Sequence, residues 1–175
     1  MGQYVYIACS LDGYIAKPDG DIDWLTSIPN PTNDDYGYSQ FIRIIDGIVM
    51  GRKTFEKVES FPEWPYSTPV FVLSSSMKTI PESLKDKAWI LSGKPKDIID
   101  QLNSRGIKNI YVDGGKTIQA FLKEDLIDEM IITTIAKILG NGIPLFGSME
   151  VEGSFRVEKS EVLNEHMVKT YYKRK

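Results

Sequence analysis

The 175 residues carry 21 Lys and Arg against 24 Asp and Glu, a net charge of −3, and 42% of them are hydrophobic. This is the composition of one ordinary globular domain, 1–175, with enough apolar side chains for a sizeable core. A pI near 5.3 excludes a general nucleic-acid or anionic-membrane binder, which needs a broad field of Lys and Arg, so any anion site must be local. Cys9 and His166 stand alone as cysteine and histidine, which excludes an internal disulfide framework and a Cys/His metal centre. No apolar stretch nears the ~20 residues of a membrane span, and the first residues read as a strand rather than a leader. A reducing, cytoplasmic setting is expected.

Tyr4 to Cys9 is an almost unbroken apolar and aromatic run, the pattern of a central strand covered on both faces. It stops at Ser10. Leu11-Asp12-Gly13-Tyr14-Ile15-Ala16 and Lys17-Pro18-Asp19-Gly20-Asp21 hold two Asp-Gly pairs and a proline, so the chain turns repeatedly. A loop at the carboxyl end of a strand lies beside the ligand in open α/β sheets. Trp24 follows, and residues 26–32, with Pro29 and Pro31, are barred from regular helix and read as a flap. From Asp34-Asp35 the pattern turns helical, with Tyr38, Phe41, Ile42 and Ile45 on one face. Carboxylates at a helix start cap backbone donors, which accounts for one of the pair and leaves the other for chemistry.

Ile48-Val49-Met50-Gly51-Arg52-Lys53-Thr54-Phe55 predicts a buried strand feeding a helix N-terminus. Free N–H groups there attract anions, Gly51 admits a ligand to the backbone, and Arg52, Lys53 and Thr54 add donors suited to a phosphate. By itself the stretch reads more readily as a tight turn with two solvated cations, so the case for a phosphate site rests on the rest of the chain. Val70-Phe71-Val72-Leu73 is a second buried strand running into Ser74-Ser75-Ser76, either a hydrophilic exit or a set of hydroxyls for a nucleotide. Ala88 to Leu91 is a strand, and Ile98, Ile99 and Leu102 mark a helix closed by Gly106. Ile110-Tyr111-Val112 then ends in Asp113-Gly114-Gly115-Lys116-Thr117 before a helix carrying Ile118, Phe121 and Leu122. Strand, glycines and helix start thus occur twice, each with a cation and a hydroxyl, as a ligand with several phosphates requires. A Walker P-loop is excluded, since Ile110 stands in mid-strand where that motif needs glycine. Glu129 to Ile135 is another strand, Leu139 to Phe146 a glycine-rich loop, and Phe155 to Val162 with Met167 to Tyr172 an antiparallel hairpin. The expected architecture is α/β, a mixed and mostly parallel sheet flanked by helices, with a C-terminal antiparallel edge.

Two motifs narrow this further. Ser10-Leu11-Asp12-Gly13-Tyr14-Ile15-Ala16, with Gly20, Trp24 and Thr26-Ser27 downstream, resembles the opening of the reductase domain of bacterial bifunctional riboflavin-biosynthesis deaminase/reductases. Val49 to Phe55 resembles the Met-Gly-Arg-x-Thr-Trp segment of dihydrofolate reductases. Together with Leu73-Ser74-Ser75-Ser76 and Gly114-Gly115, they make nearly the whole chain resemble the dihydrofolate-reductase-like superfamily, in its riboflavin-type branch. The resemblance implies an eight-stranded sheet with NADPH across the strand ends. Gly51 to Thr54 would hold the pyrophosphate, Arg52 or Lys53 the 2′-phosphate, and Ser74 and Ser75 the adenosine. Gly114, Gly115, Lys116 and Thr117 would lie under the pyrophosphate and nicotinamide.

On the substrate side the family's spacing points to Asp35, beside Asp34, as the carboxylate that binds the ring and assists its protonation, and to Asp12 in the loop near the nicotinamide. The resemblance also places Trp24 over the cofactor and Thr133 on the pocket floor. Trp24 stands farther ahead of Asp35 than in true dihydrofolate reductases, so residues 26–32 are an insertion. The activity implied is NADPH-dependent hydride transfer to a pterin-like or aminopyrimidine small molecule, as in 5-amino-6-(5-phosphoribosylamino)uracil reduction, whose ribose phosphate would need cations in the pocket. Dihydrofolate reduction is an alternative. The deaminase signature is absent from a chain with one His and one Cys. From another class, a nucleotide-binding sensor with the same fold fits the phosphate motifs equally well. The riboflavin-type relatives also imply a homodimer formed through the sheets, to which Tyr171-Tyr172 would contribute.

Overall fold

The computed structural model describes residues 1–148 and 152–175. In chain order its elements are β1 (Gly2–Ser10), β2 (Tyr14–Ala16), α1 (Asp23–Thr26), α2 (Tyr38–Ile42), β3 (Gly47–Gly51), α3 (Arg52–Glu59), β4 (Val70–Leu73), β5 (Ala88–Leu91), α4 (Pro95–Ser104), β6 (Asn109–Asp113), α5 (Gly115–Lys123), β7 (Glu129–Ile135), β8 (Ile143–Pro144), β9 (Phe155–Asn164) and β10 (Met167–Arg174). One eight-stranded sheet has the order β5-β4-β3-β6-β1-β7-β10-β9, and β2 pairs with β8 in a small second sheet. Pairing is parallel from β5 through to β7 and antiparallel at β7–β10 and β10–β9. The mixed, mostly parallel sheet with a terminal hairpin is the expected one.

Strand alternation assigns each apolar residue to one of two cores. Val5, Val49, Phe71, Ile110 and Val112 pack with Ile98 and Leu102 of α4 and Ile118 and Phe121 of α5. Ile48, Met50, Val70, Val72 and Tyr111 pack with Phe41 of α2 and Phe55 of α3. With both faces covered, β3 and β4 read as continuous apolar runs.

The sheet opens between β6 and β1. Register pairs join Gly2–Tyr4 to Asn109–Tyr111 and go no further, whereas β1 stays paired to β7 from Tyr4 through Ser10. Beyond this point the two parallel strands diverge toward their carboxyl ends, and the Tyr111 hydroxyl spans the fork by donating to the Tyr6 carbonyl at 2.8 Å. Such a switch point of an α/β sheet is where its ligand crevice forms.

Two expectations change. The helix predicted from Asp34 begins only at Tyr38. Ahead of it, Asn33, Tyr36 and Gly37 have φ of 50°, 52° and 87°. Asp34 accepts the Tyr36 N–H at 2.7 Å, and Asp35 accepts those of Gly37 and Ser39 at 2.8 and 2.9 Å; these side-chain bonds offer the backbone an alternative to helix. The segments read only as turns after β1 and as a glycine-rich loop after β7 contain β2 and β8, which pair with each other. Strands of three and two residues show no period, so their pairing is decided by tertiary contact. The Trp24 segment adds the single helical turn α1.

Candidate active site

The helix starts of α3 and α5 lie side by side because β3 and β6 are neighbours, with Met50 in register with Asp113. Gly51 caps α3 and Gly114 caps α5, and neither start has a side-chain cap. The first N–H groups of both helices are therefore left for an outside acceptor, in the field of two helix dipoles. The two starts interlock. Gly114 has φ of 86°, and a Cβ there would collide with the Thr54 hydroxyl; a Cβ on Gly51 would come within 3.1 Å of the Thr117 hydroxyl. Each threonine thus occupies the space its facing glycine leaves.

Gly51 is in register with Leu73 of β4, which places Ser74 and Ser75 next along the same edge. The Ser74 hydroxyl accepts from the N–H groups of Ser76 and Met77 at 3.2 and 2.9 Å, tying the chain into a turn. Arg52 is exposed, with Nη1 3.4 Å from the Ser76 hydroxyl and Nε 3.5 Å from Glu56. Lys53, Ser75 and Lys116 are exposed as well. The structure brings together all ten residues predicted to bind the cofactor, Gly51 to Thr54, Ser74, Ser75 and Gly114 to Thr117, along one edge of three adjacent strands. The donor set fits a dinucleotide: two helix starts for a pyrophosphate, with a cation and hydroxyls at the β4 side.

Across the fork lies a cleft of about 360 Å³ whose lining includes Tyr6, Ala8, Leu25, Ile28, Thr133 and Ile135, with Asp34 and Asp35 among the lining residues as well. Thr133 is 8% exposed and lines the floor. Trp24, by contrast, is 3% exposed and packs behind the cleft against Ile135 and Met167 rather than lining it; an indole surrounded by apolar side chains is worth more as support than as a contact in water. The wall formed by the flap is fastened at one atom. Tyr6 Oη and Lys169 Nζ both donate to the Tyr36 carbonyl, at 2.8 and 2.5 Å.

The predicted carboxylates are engaged in turns. Asp35 caps α2 through the two bonds above, and the Ser39 hydrogen bonds hold its pKa below the usual carboxylate value. Asp12 accepts from the Ser10 hydroxyl at 2.6 Å and from the N–H groups of Leu139 and Gly140 at 3.0 and 2.7 Å. These bonds, the Ser10 hydroxyl first, hold its carboxyl at about 2, so Asp12 is ionised at neutral pH and latches the loop after β1 to the loop after β7. Asp35 thus takes the capping role expected for one of the pair, while the latch made by Asp12 is a positioning duty that spacing did not reveal.

The acid that differs is Asp113. It ends β6 two residues beyond the last β1–β6 register pair, as Tyr6 does on β1, so carboxyl and cleft wall flank the same fork. Desolvation raises its pKa to about 6, against the lowering effect of the Gly114 N–H, donated at 2.8 Å, and of the Tyr111 hydroxyl. Its neighbours register the charge: Tyr38 is pushed up to about 12, by burial first and then by Asp113. The sequence reading placed Asp113 only at the head of the second glycine-bearing junction; the available signal was an acid directly after the apolar run Ile110 to Val112.

The family comparison agrees with this geometry. Residues 4–169 match the model of the RibD C-terminal domain. The chain belongs to the RibD C-terminal domain family. The family takes its name from the C-terminal, reductase domain of RibD. The uncharacterised protein YwjB of Bacillus subtilis (strain 168) is 38% identical over 158 residues, 88% of this chain and 87% of its own length. A solved structure from Shewanella sp. PV-4, named for riboflavin biosynthesis, superposes with a TM-score of 0.96 at 52% identity, covering 100% of this chain and 99% of that one. A dihydrofolate reductase from Enterococcus faecalis, complexed with NADP(H), shares the fold with a TM-score of 0.66 at 16% identity, over 99% of this chain and 96% of its own. Among the described residues no helix is long and apolar enough to cross a membrane, and no group of three or more His, Cys, Asp and Glu side chains is placed to hold a metal.

Proposed function

We propose that this RibD-family domain is an NADPH-dependent reductase that transfers a hydride to a pterin-like or aminopyrimidine ring. The observation that carries the reading is the junction of three features at one fork: two uncapped helix starts, a desolvated acid and an apolar cleft. NADPH supplies the hydride from its dihydronicotinamide. The chain's own residues then have four duties. Gly51 to Thr54 and Gly114 to Thr117 bind the pyrophosphate, and Arg52 or Lys53 binds the 2′-phosphate, with Ser74 and Ser75 beside the adenosine. The edge of β1 beyond Tyr4, unpaired on its β6 side, offers main-chain donors and acceptors to a carboxamide. Asp12 and the β2–β8 pair hold the loops that exclude water from the crevice. Asp113, whose pKa of about 6 lets it carry a proton near neutral pH, delivers that proton to the reduced ring.

Titration with NADPH and NADH, followed by fluorescence, tests the cofactor half. Loss of absorbance at the reduced-nicotinamide band with dihydrofolate or an aminopyrimidine tests the reaction. Binding of NADPH with no oxidation by any such ring would instead favour a nucleotide sensor, and no binding would refute both. The same reading takes the domain to pair through its sheet. The outermost strand β9 presents Val157 and Val162 at 61% and 75% exposure, and a monomeric mass in light scattering would refute the pairing. Buried, unpaired Cys9 supports a reducing compartment.

A further inference from the structure

The charge around the cleft restricts the substrate more sharply than the family does. Asp34 and Asp35 line it, and among the described residues no Lys or Arg does. Asp35 stays ionised at neutral pH because its pKa is lowered, chiefly by Ser39. The nearest buried cation is Lys169, and its ammonium is already engaged: it donates to the Tyr36 carbonyl at 2.5 Å and pairs with Glu161 at 3.1 Å. At 5% side-chain exposure it has no open side to offer a second anion. The cofactor-side cations stand on α3 and α5, along the other arm of the fork. What remains for a ligand is acceptor oxygen from the carboxylates, apolar wall, and the Thr133 hydroxyl, which no protein group among the described residues hydrogen-bonds. A dianionic phosphate entering here would meet the like charge of two carboxylates with no counter-ion in the lining. A ring bearing N–H donors would meet acceptors.

We propose that the cleft takes a neutral or cationic nitrogen heterocycle that carries N–H donors and no phosphate. The inference rests on the reductase reading and narrows it: this domain acts on a dephosphorylated or never-phosphorylated ring, unlike a reductase of phosphoribosyl intermediates. Its place in a reaction sequence is accordingly after a phosphatase, or outside phosphorylated intermediates altogether.

The test compares 5-amino-6-ribosylaminouracil with its 5′-phosphate, which share the ring and differ only in the phosphate. Calorimetry on the protein alone and on the NADP⁺-loaded protein reads the discrimination without reference to turnover, while a separate NADPH titration reports on the reductase assignment. The unphosphorylated compound should bind at least tenfold more tightly in both states. In the variant D34N/D35N, where each amide oxygen still accepts the loop N–H groups, the gap should narrow toward parity at unchanged Tm. Equal or tighter binding of the phosphate, a gap insensitive to D34N/D35N, or failure of both compounds to bind would overturn the proposal. NADPH binding together with a phosphate preference would leave the reductase standing and remove the charge selectivity.

Discussion

The two arms of the fork are built differently. On the cofactor arm every residue lies within a few positions of a strand's carboxyl end, β3 and β6 running straight into helices and β4 into a turn, and the three ends align because β4, β3 and β6 are adjacent. On the cleft arm, the floor comes from Ala8 of β1 and Thr133 of β7, and the wall from the flap around Asp34 to Tyr36. That wall is fastened by Lys169, 133 positions away from Tyr36. A backbone-built anion site tolerates changes in its surroundings, because its donors are main-chain N–H groups set by helix geometry. A side-chain-built cleft changes its selectivity with one substitution. Under the proposed function, this arrangement would let one fold keep a cofactor while its substrate changes.

The comparison can be broken most severely at the fork itself. Asp113→Asn removes the acid we assign to proton delivery, and kcat should fall by about 10²- to 10⁴-fold with NADPH affinity preserved. In the parent protein the rate should decline as pH rises past about 6, where Asp113 loses its proton, and the variant should lack that limb. A parallel loss of NADPH binding would show that Asp113 belongs to the cofactor arm instead.

Gly114→Ala attacks the interlock of the two helix starts. Strain at positive φ and the collision with Thr54 together cost about 2–6 kcal/mol, which lowers Tm by roughly 5–20 °C for a chain of this size. Thermal melting checks this, and Thr54→Gly in the same chain should restore part of the loss, since it clears the colliding hydroxyl. Replacing Arg52 and Lys53 with alanine should weaken NADPH by about ten- to a hundredfold and leave NADH nearly unchanged. Equal losses for the two cofactors would withdraw these cations from the 2′-phosphate.

The two perturbed acids, Asp113 and Asp12, also differ in the sign of their pH dependence. Asp113 titrates above its ordinary value of 3.8. Its contribution to stability is therefore present below about pH 4 and lost as pH rises through about 6. Asp12 titrates near 2, so its contribution is present above about pH 4 and lost as pH falls toward 2. In melts from pH 2.5 to 7, Asp113→Asn should gain stability over the parent only at the upper end, and Asp12→Asn should lose stability only there. The smallest effect is expected at Lys169→Met, which frees the flap: KM for the ring should rise by less than about tenfold, under about 1.4 kcal/mol, with NADPH affinity unaffected.

Much of this was legible in the residues. The order of buried strands, the two glycine-bearing junctions and the terminal hairpin follow from apolar runs and turn residues, since strand burial and helix capping are local properties that need no knowledge of the partner strand. The β2–β8 pair and the latch formed by Asp12 did not follow, because each depends on hydrogen bonds between segments that sequence patterns treat separately; the late start of α2 did not follow because the side-chain bonds of Asp34 and Asp35 to nearby N–H groups compete with helix locally. The same holds for the acids. Sequence determined that Asp12, Asp34, Asp35 and Asp113 sit at strand ends and a helix start, positions where carboxylates act. Which of them stays exposed and which has its pKa raised by the packing around it was decided only by the tertiary structure. Desolvation depends on what packs around a side chain, and the tyrosines near Asp113 come from α2, from β6 and from the loop before β4.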